Sequence, residues 1–195
     1  MSGLVPRRAR WSAVLAMLWL PVAGAQTADL PPEWEIRANL TSLVAGTERL
    51  KPLLEAANPE QWAQKGAAET YQAQWKSIIA EIGYAGRAAG ELQRQPERLT
   101  LALETCFRMQ SLDSMLSSLN EGIRKYHNPA LADLISGAMS ANAAQREKLR
   151  QFIVQLAAAK EEQFKVMDQE AQRCRVMLSR QPAAKNGPEK KTEPK

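Results

Sequence analysis

The fold of this chain is decided by residues 96–125, which read PERLTLALETCFRMQSLDSMLSSLNEGIRK. Apolar residues recur there every three or four positions, so they fall on one face of an α-helix. That face consists of Leu99, Leu103, Cys106, Met109, Leu112, Leu116, Leu119 and Ile123. No strand-like alternation occurs elsewhere in the sequence, and no Asn-Gly pair stands between two alternating apolar runs. The pattern predicts an all-α protein.

Three polar residues followed by proline divide the chain into helices: Asn58-Pro59, Gln95-Pro96 and Asn128-Pro129. Proline suits the first position of a helix, and the residue before it tends to lie outside one. Each pair therefore closes one helix and opens the next. The predicted helices cover about 33–57, 59–94, 96–125 and 129–180. Short connections favour an elongated antiparallel bundle of about four helices over residues 33–180.

Interruptions are predicted inside three of these helices. Pro52 kinks or ends the first, and Gly66 leaves Trp62 on a separate turn before the second. The second predicted helix also contains three glycines in the stretch Gly83–Gly90. Small residues there would allow a neighbouring helix to approach closely, or alternatively would leave a groove on the helix surface. The fourth segment would be about 78 Å long if unbroken, so we expect a bend at Ser136-Gly137 or Ser140–Asn142.

The fourth segment carries its own apolar stripe, made of Leu149, Phe152, Leu156, Met167, Cys174 and Leu178. Because this helix is longer than its partners, its far end is expected to extend beyond them. An exposed apolar stripe there would be a site for a protein partner or for a homodimer.

The two ends of the chain differ from the predicted bundle. Residues 1–25 are typical of a bacterial signal peptide, with a basic start, a ten-residue apolar run over 11–20 and cleavage between Ala25 and Gln26. We therefore expect an exported protein, periplasmic or secreted. Residues 26–32 form a short linker. The Pro/Lys/Glu-rich residues 181–195 predict a disordered tail.

The formal charge of the chain indicates which classes of macromolecule it could bind. The whole chain has a formal net charge of +5, but residues 26–180 hold 19 Lys and Arg against 19 Asp and Glu. Nucleic-acid binding needs a clustered basic face, which a neutral body does not supply, so we expect no nucleic-acid partner. No apolar run after residue 25 is long enough to span a bilayer, and we expect no integral membrane segment after signal cleavage.

Export would allow the two cysteines of the chain to form a disulfide, because disulfides persist in oxidising compartments. Cys106 and Cys174 both lie on apolar stripes, and three states stay open: a bridge between them, buried free thiols, or a bridge between two chains. Straight antiparallel helices would hold the two residues far apart. A bridge within one chain requires a fold-back near 157–161, which contains no helix breaker.

No constellation for catalysis, metal or cofactor binding is recognised. His127 is the single histidine of the chain, so metal and nucleophile chemistry would lack a second ligand or an ordinary base. We expect no enzyme and no cofactor.

The densest cluster of distinctive side chains is Arg124, Lys125, Tyr126 and His127. Cations at a helix C-terminus complement the helix dipole and the last carbonyls. A patch for an anionic ligand or a partner is the alternative.

The favoured function is that of a non-enzymatic envelope protein, an interaction, scaffold or chaperone-like module acting through helical surfaces. The alternative is a bundle that binds a small molecule or cofactor in a cavity between helices. Its expected lining is Tyr71, Trp75, Phe107 and Phe152.

Overall fold

A computed structural model describes residues 30–180, and all regular secondary structure in that range is helical. The predicted signal peptide, its cleavage site at Ala25 and Gln26, and the predicted tail 181–195 lie outside the described residues. Two 3₁₀ turns, Pro59–Gln61 and Ala63–Lys65, separate the second helix from the third. The α-helices are α1 (Glu33–Glu48), α2 (Leu50–Ala57), α3 (Thr70–Arg94), α4 (Leu99–Tyr126), α5 (Pro129–Ala141) and α6 (Ala143–Arg180).

The six helices make four rods, because two of the junctions are bends rather than turns. Arg49 joins α1 to α2 with φ −62° and ψ −18°, close to helical values. Asn142 joins α5 to α6 with φ −91° and ψ 0°. Both lie where interruptions were predicted, near Pro52 and within Ser140–Asn142. Pro52 sits in the first turn of α2, where its missing N–H leaves no intrahelical bond unmade.

The core is divided into two clusters along the bundle. The first core cluster comes from α2, the 3₁₀ turns, and the facing parts of α3, α4 and α5: Leu50, Leu54, Ala57, Trp62, Ile78, Ile82, Leu112, Leu116, Leu119, Ile123, Leu131, Ala132 and Ile135. The second core cluster comes from α1, α3, α4 and α6: Ile36, Leu40, Leu43, Ala85, Ala89, Leu92, Ala102, Cys106, Met109, Leu149, Phe152 and Leu156.

The order of the clusters along each rod gives the topology. The first rod (α1 and α2) enters the second core cluster and then the first, and α3 returns in the opposite order. Helix α4 again runs from the second cluster to the first, and the last rod (α5 and α6) returns. Successive rods are therefore antiparallel, and the prediction of an all-α antiparallel bundle is confirmed.

The bend at Asn142 packs tightly against α1. A Cβ atom on Gly46 would overlap Oδ1 of Asn142, whose side chain is buried. One turn later, Nε of Arg146 lies 3.1 Å from Oδ2 of Asp113 on α4. Nη2 of Arg146 also donates to the carbonyl of Met139 at 3.0 Å. These contacts fix the direction in which α6 leaves the bend.

Glycines differ in the space around them. A Cβ on Gly122 of α4 would lie 2.6 Å from Cε1 of Tyr71, so this glycine permits close contact between helices. At Gly86 and Gly90 of α3, a Cβ would meet nothing within 4 Å outside the helix itself. The expectation that glycines in Gly83–Gly90 permit close helix approach is thus wrong, because the tight site is on α4.

Alanine substitutions test this difference. Gly122→Ala should lower the free energy of unfolding by about 1 kcal/mol, since overpacking costs roughly 1–3 kcal/mol and the gain in helix propensity offsets part of it. Gly86→Ala should instead raise it by about 0.5–1 kcal/mol. Urea denaturation measures both. A Gly122→Ala protein as stable as Gly86→Ala would contradict the packing described here.

Candidate functional site

The last part of α6 extends beyond the bundle. Residues 161–180, here called the projecting segment, are all exposed, whereas Leu149, Phe152 and Leu156 earlier in the same helix are buried. The projecting segment is about 30 Å long at 1.5 Å per residue. Most helices in proteins are stabilised by packing of an apolar face. A segment of this length without such packing is therefore the clearest candidate for a binding element.

The projecting segment has an apolar face. Phe164, Met167 and Leu178 are 71%, 66% and 67% exposed, which is unusual for large apolar side chains. With Ala171 and Cys174 they follow one another in steps of three, four, three and four residues. This is the spacing of a helix that packs against another helix. We call these five residues the exposed stripe.

The exposed stripe continues the buried face of α6. Cys174 follows Leu156 by 18 residues, which at 3.6 residues per turn is about five complete turns. Met167 and Leu178 lie within about 40° of the same direction around the helix axis. The face that packs on α1 and α4 inside the bundle therefore continues past the end of the bundle, without a partner in residues 30–180.

Charge on the projecting segment is divided by sign. Residues 161–170 contain four acidic residues and one lysine, a formal charge of −3, and residues 171–180 contain three arginines and no acidic residue, a charge of +3. Two ion pairs lie within the helix, Lys165 with Glu162 at 3.3 Å and Arg173 with Glu170 at 3.2 Å. Such exposed pairs contribute little to stability, so the charge pattern is available to a partner.

The two cysteines lie apart. Both are free thiols, with Cys106 buried in the second core cluster and Cys174 on the exposed stripe. Leu156 belongs to the same cluster as Cys106, and Cys174 lies about 27 Å further along the helix. The bridge between Cys106 and Cys174 is absent because α6 runs unbroken through residues 157–161, where a fold-back was required.

The residues at the end of α4 take part in local packing. Arg124 forms an ion pair with Asp133 of α5 at 2.6 Å, and Nζ of Lys125 lies 4.9 Å from the centre of the Tyr126 ring. The N–H of His127 donates to the carbonyl of Ile123 at 3.0 Å and closes the helix. The side chains of Arg124 and Lys125 thus contact Asp133 and Tyr126 rather than the last carbonyls of α4, and both interpretations of the four residues stay predictions.

A cluster of aromatic rings joins this end of α4 to the rest of the bundle. The Trp62 ring packs edge-on against Tyr71 at 5.6 Å and stacks on His127 at 6.4 Å, and Tyr71 meets Tyr126 at 5.9 Å. Nε1 of Trp62 donates to the carbonyl of Ala57. No sequence pattern indicates this cluster, because its members come from three separate parts of the chain and no spacing relates them.

The four aromatic residues expected around a ligand cavity do not meet. Tyr71 and Trp75 pack on the first core cluster, and Phe152 belongs to the second. Phe107 is 61% exposed on the outer face of α4. The expectation of one cavity lined by these residues is wrong, because neighbouring positions on α4 point in directions about 100° apart and Phe107 follows the buried Cys106.

Within residues 30–180, no group of three or more His, Cys, Asp or Glu side chains is arranged to hold a metal ion. No helix of this range is long and apolar enough to cross a membrane. Comparison with known proteins found no matching family model, no matching curated protein and no matching solved structure.

The difference between the thiols can be measured by alkylation of dilute native protein. Burial raises the pKa of the Cys106 thiol, so less of it is in the reactive thiolate form, and access to it is blocked as well. Iodoacetamide should modify Cys174 first and reach Cys106 only after unfolding in urea. The Cys174→Ser variant is the control and should remain unmodified without urea. Equal modification of both residues in the native protein would contradict the placement of Cys106.

Proposed function

We propose that this chain is a non-enzymatic interaction protein, exported to the bacterial envelope, whose binding element is the projecting segment of α6. The bundle serves as the base that holds this segment. The observation that carries the proposal is the exposed stripe, which continues the packing face of α6 beyond the helices that cover it.

Physical chemistry supports a bound state for this segment. Large apolar side chains gain free energy when they leave water, by about 25 cal/mol for each Å² buried. An isolated helix of about twenty residues is only marginally stable in water. Both effects favour a partner that covers Phe164, Met167 and Leu178. A helical partner is favoured because the stripe has the spacing of helix-on-helix packing.

Export rests on residues 1–25. Arg7, Arg8 and Arg10 precede the apolar run, and small residues precede the predicted cleavage point at Gln26. The placement of the protein in the envelope follows from this pattern alone.

Photocrosslinking in cells tests the binding element. A photoreactive amino acid at Met167 lies on the exposed stripe, and one at Gln172 lies on the opposite side of the same helix. We expect protein adducts from Met167 and few or none from Gln172, because only the stripe packs on a partner. Both residues are exposed, and they lie on the same helix about 7.5 Å apart along its axis. Adducts from both in equal amount, or from neither, would contradict the proposal.

Export has its own test. The full chain expressed in a bacterial host should yield a product in the periplasmic or secreted fraction that begins at Gln26, as measured by intact mass and N-terminal sequencing. Ala25→Glu should block this cleavage, because signal peptidase requires a small residue there. A full-length product that begins at Met1 and stays in the cytosol would refute the predicted address.

A further inference from the structure

We propose that the partner of the projecting segment is the projecting segment of a second copy, paired in antiparallel orientation. This inference rests on the proposed function and names its partner. The result is a homodimer with the two bundles at opposite ends of a pair of helices. Three observations lead to this arrangement: the direction of the exposed stripe, the sizes of its side chains, and the order of its charges.

The direction of the stripe excludes parallel pairing. Because Met167, Cys174 and Leu178 point to the same side as Leu156, a helix packed on them lies directly above the end of the bundle. In a parallel pair, each helix would also enter its own bundle at that level. The two bundles would then occupy the same space. In an antiparallel pair the second bundle lies at the far end, and each projecting segment ends near the base of the other.

The side chains of the stripe are complementary in this orientation. In heptad terms, Phe164, Ala171 and Leu178 occupy a positions and Met167 and Cys174 occupy d positions. Antiparallel packing places each a position opposite a d position of the other helix. Met167 of one copy then faces Ala171 of the other, and Phe164 faces Cys174. Leu178 reaches the aliphatic stem of Lys160, whose ammonium group stays in water. Large residues therefore meet small ones in the four central layers of the overlap, which allows the helices to approach closely there.

The charges favour the same orientation. Antiparallel pairing sets the acidic residues 161–170, with a charge of −3, beside the basic residues 171–180 of the other copy, with a charge of +3. Glu161 of each copy comes beside Arg175 of the other, which makes two attractive pairs. Near the twofold axis the two Asp168 carboxylates meet on one side of the stripe and the two Glu170 carboxylates on the other, where each Glu170 is already paired with Arg173 of its own helix. Parallel pairing would instead set the two acidic halves beside each other and the two basic halves beside each other, with Glu170 near Arg175 of the other copy as its attractive pair.

Other occupants fit the stripe less well. Residues 181–195 contain no large apolar side chain. At the other end, Leu30 lies near the base of the segment, where it lines a cavity of about 190 Å³ with Leu156 and Lys160. After cleavage before Gln26, only four residues would precede Leu30. A membrane-surface helix has a polar face rich in Lys and Arg, whereas residues 161–180 carry four acidic residues and four basic ones.

Disulfide trapping distinguishes the orientations. Oxidised glutathione is the oxidant: two cysteine thiols lose two protons and two electrons and form one S–S bond, and the glutathione disulfide is reduced to two thiols. In the antiparallel pair the two Cys174 residues are about 15 Å apart, beyond the roughly 7 Å between Cα atoms that a disulfide spans. The unaltered chain should therefore form no covalent dimer. Phe164→Cys should form one, with residue 164 of one copy joined to Cys174 of the other by peptide mapping.

The matched control is Gln172→Cys, which places the added thiol on the opposite face and should give little covalent dimer. A bridge between the two Cys174 residues of the unaltered chain would show parallel pairing and overturn the proposal. Failure of Phe164→Cys to crosslink above the level of Gln172→Cys would overturn it as well.

Sedimentation of the full chain over a range of concentrations measures the association. Met167→Glu should weaken the dimer at least about tenfold, because a carboxylate would be buried without a partner. Gln172→Glu should leave it unchanged, and circular dichroism should report the same helix content for both. Raising the salt concentration from about 0.05 M to about 0.5 M should also weaken the dimer.

Different results would overturn the second copy as the partner and the projecting segment as the binding element. A chain that stays monomeric, while Met167 crosslinks to a protein of another mass, would overturn the second copy as partner and leave the binding element in place. A monomer with no adduct from Met167 would overturn both. Crosslinks from Met167 only to residues 1–29 of its own chain would do the same.

Discussion

The contact between Asn142 and Gly46 sets the course of the longest helix. Gly46 has no side chain, and a Cβ atom there would occupy the space of the Asn142 amide. The bend can therefore pack directly on α1 only because residue 46 is glycine. The pairing of Arg146 with Asp113 holds the first turns of α6 against α4. Half-burial of this pair raises the pKa of Asp113, while the arginine favours its charged form. With this direction fixed, α6 passes along the second core cluster and out of the bundle.

The architecture could be predicted because the spacing of apolar residues in each rod shows which face of that rod is buried. In the first rod the residues that recur every three or four positions are all buried: Ile36, Leu40, Leu43, Thr47, Leu50 and Leu54. The polar-proline pairs separate one rod from the next. The starts were less accurate: Pro96 was expected to open α4, but residues 95–98 form a turn and the helix begins at Leu99. Pro96 thus marks only where α3 has ended, whereas Pro129 also opens α5.

The sequence predicted that the end of the last helix lies outside the bundle, but it did not predict where burial stops or which aromatic side chains meet. The length of the segment 129–180 against its neighbours already indicated an end without partners, and Met167, Cys174 and Leu178 were expected on its stripe. Periodicity alone could not say where burial stops, since Leu156 and Met167 carry the same signal. Aromatic type was misleading at Phe107, because a large apolar side chain can lie on an outer face when no rod covers it. The cluster around Trp62 depends on contacts between distant parts of the chain, which no local pattern encodes.

One continuous helix thus has two very different environments along its length. Because Leu149 and Phe152 belong to the second core cluster, we expect amides near them to exchange their hydrogens only when that cluster opens, with protection close to that of global unfolding. Amides beyond residue 161 should need only local fraying of the segment outside the bundle, and we expect their protection to fall toward Arg180. Helix α6 therefore contains a gradient of local stability, and its least protected turns are those that carry the exposed stripe. Whatever covers these turns raises their stability and leaves the bundle below almost unaffected.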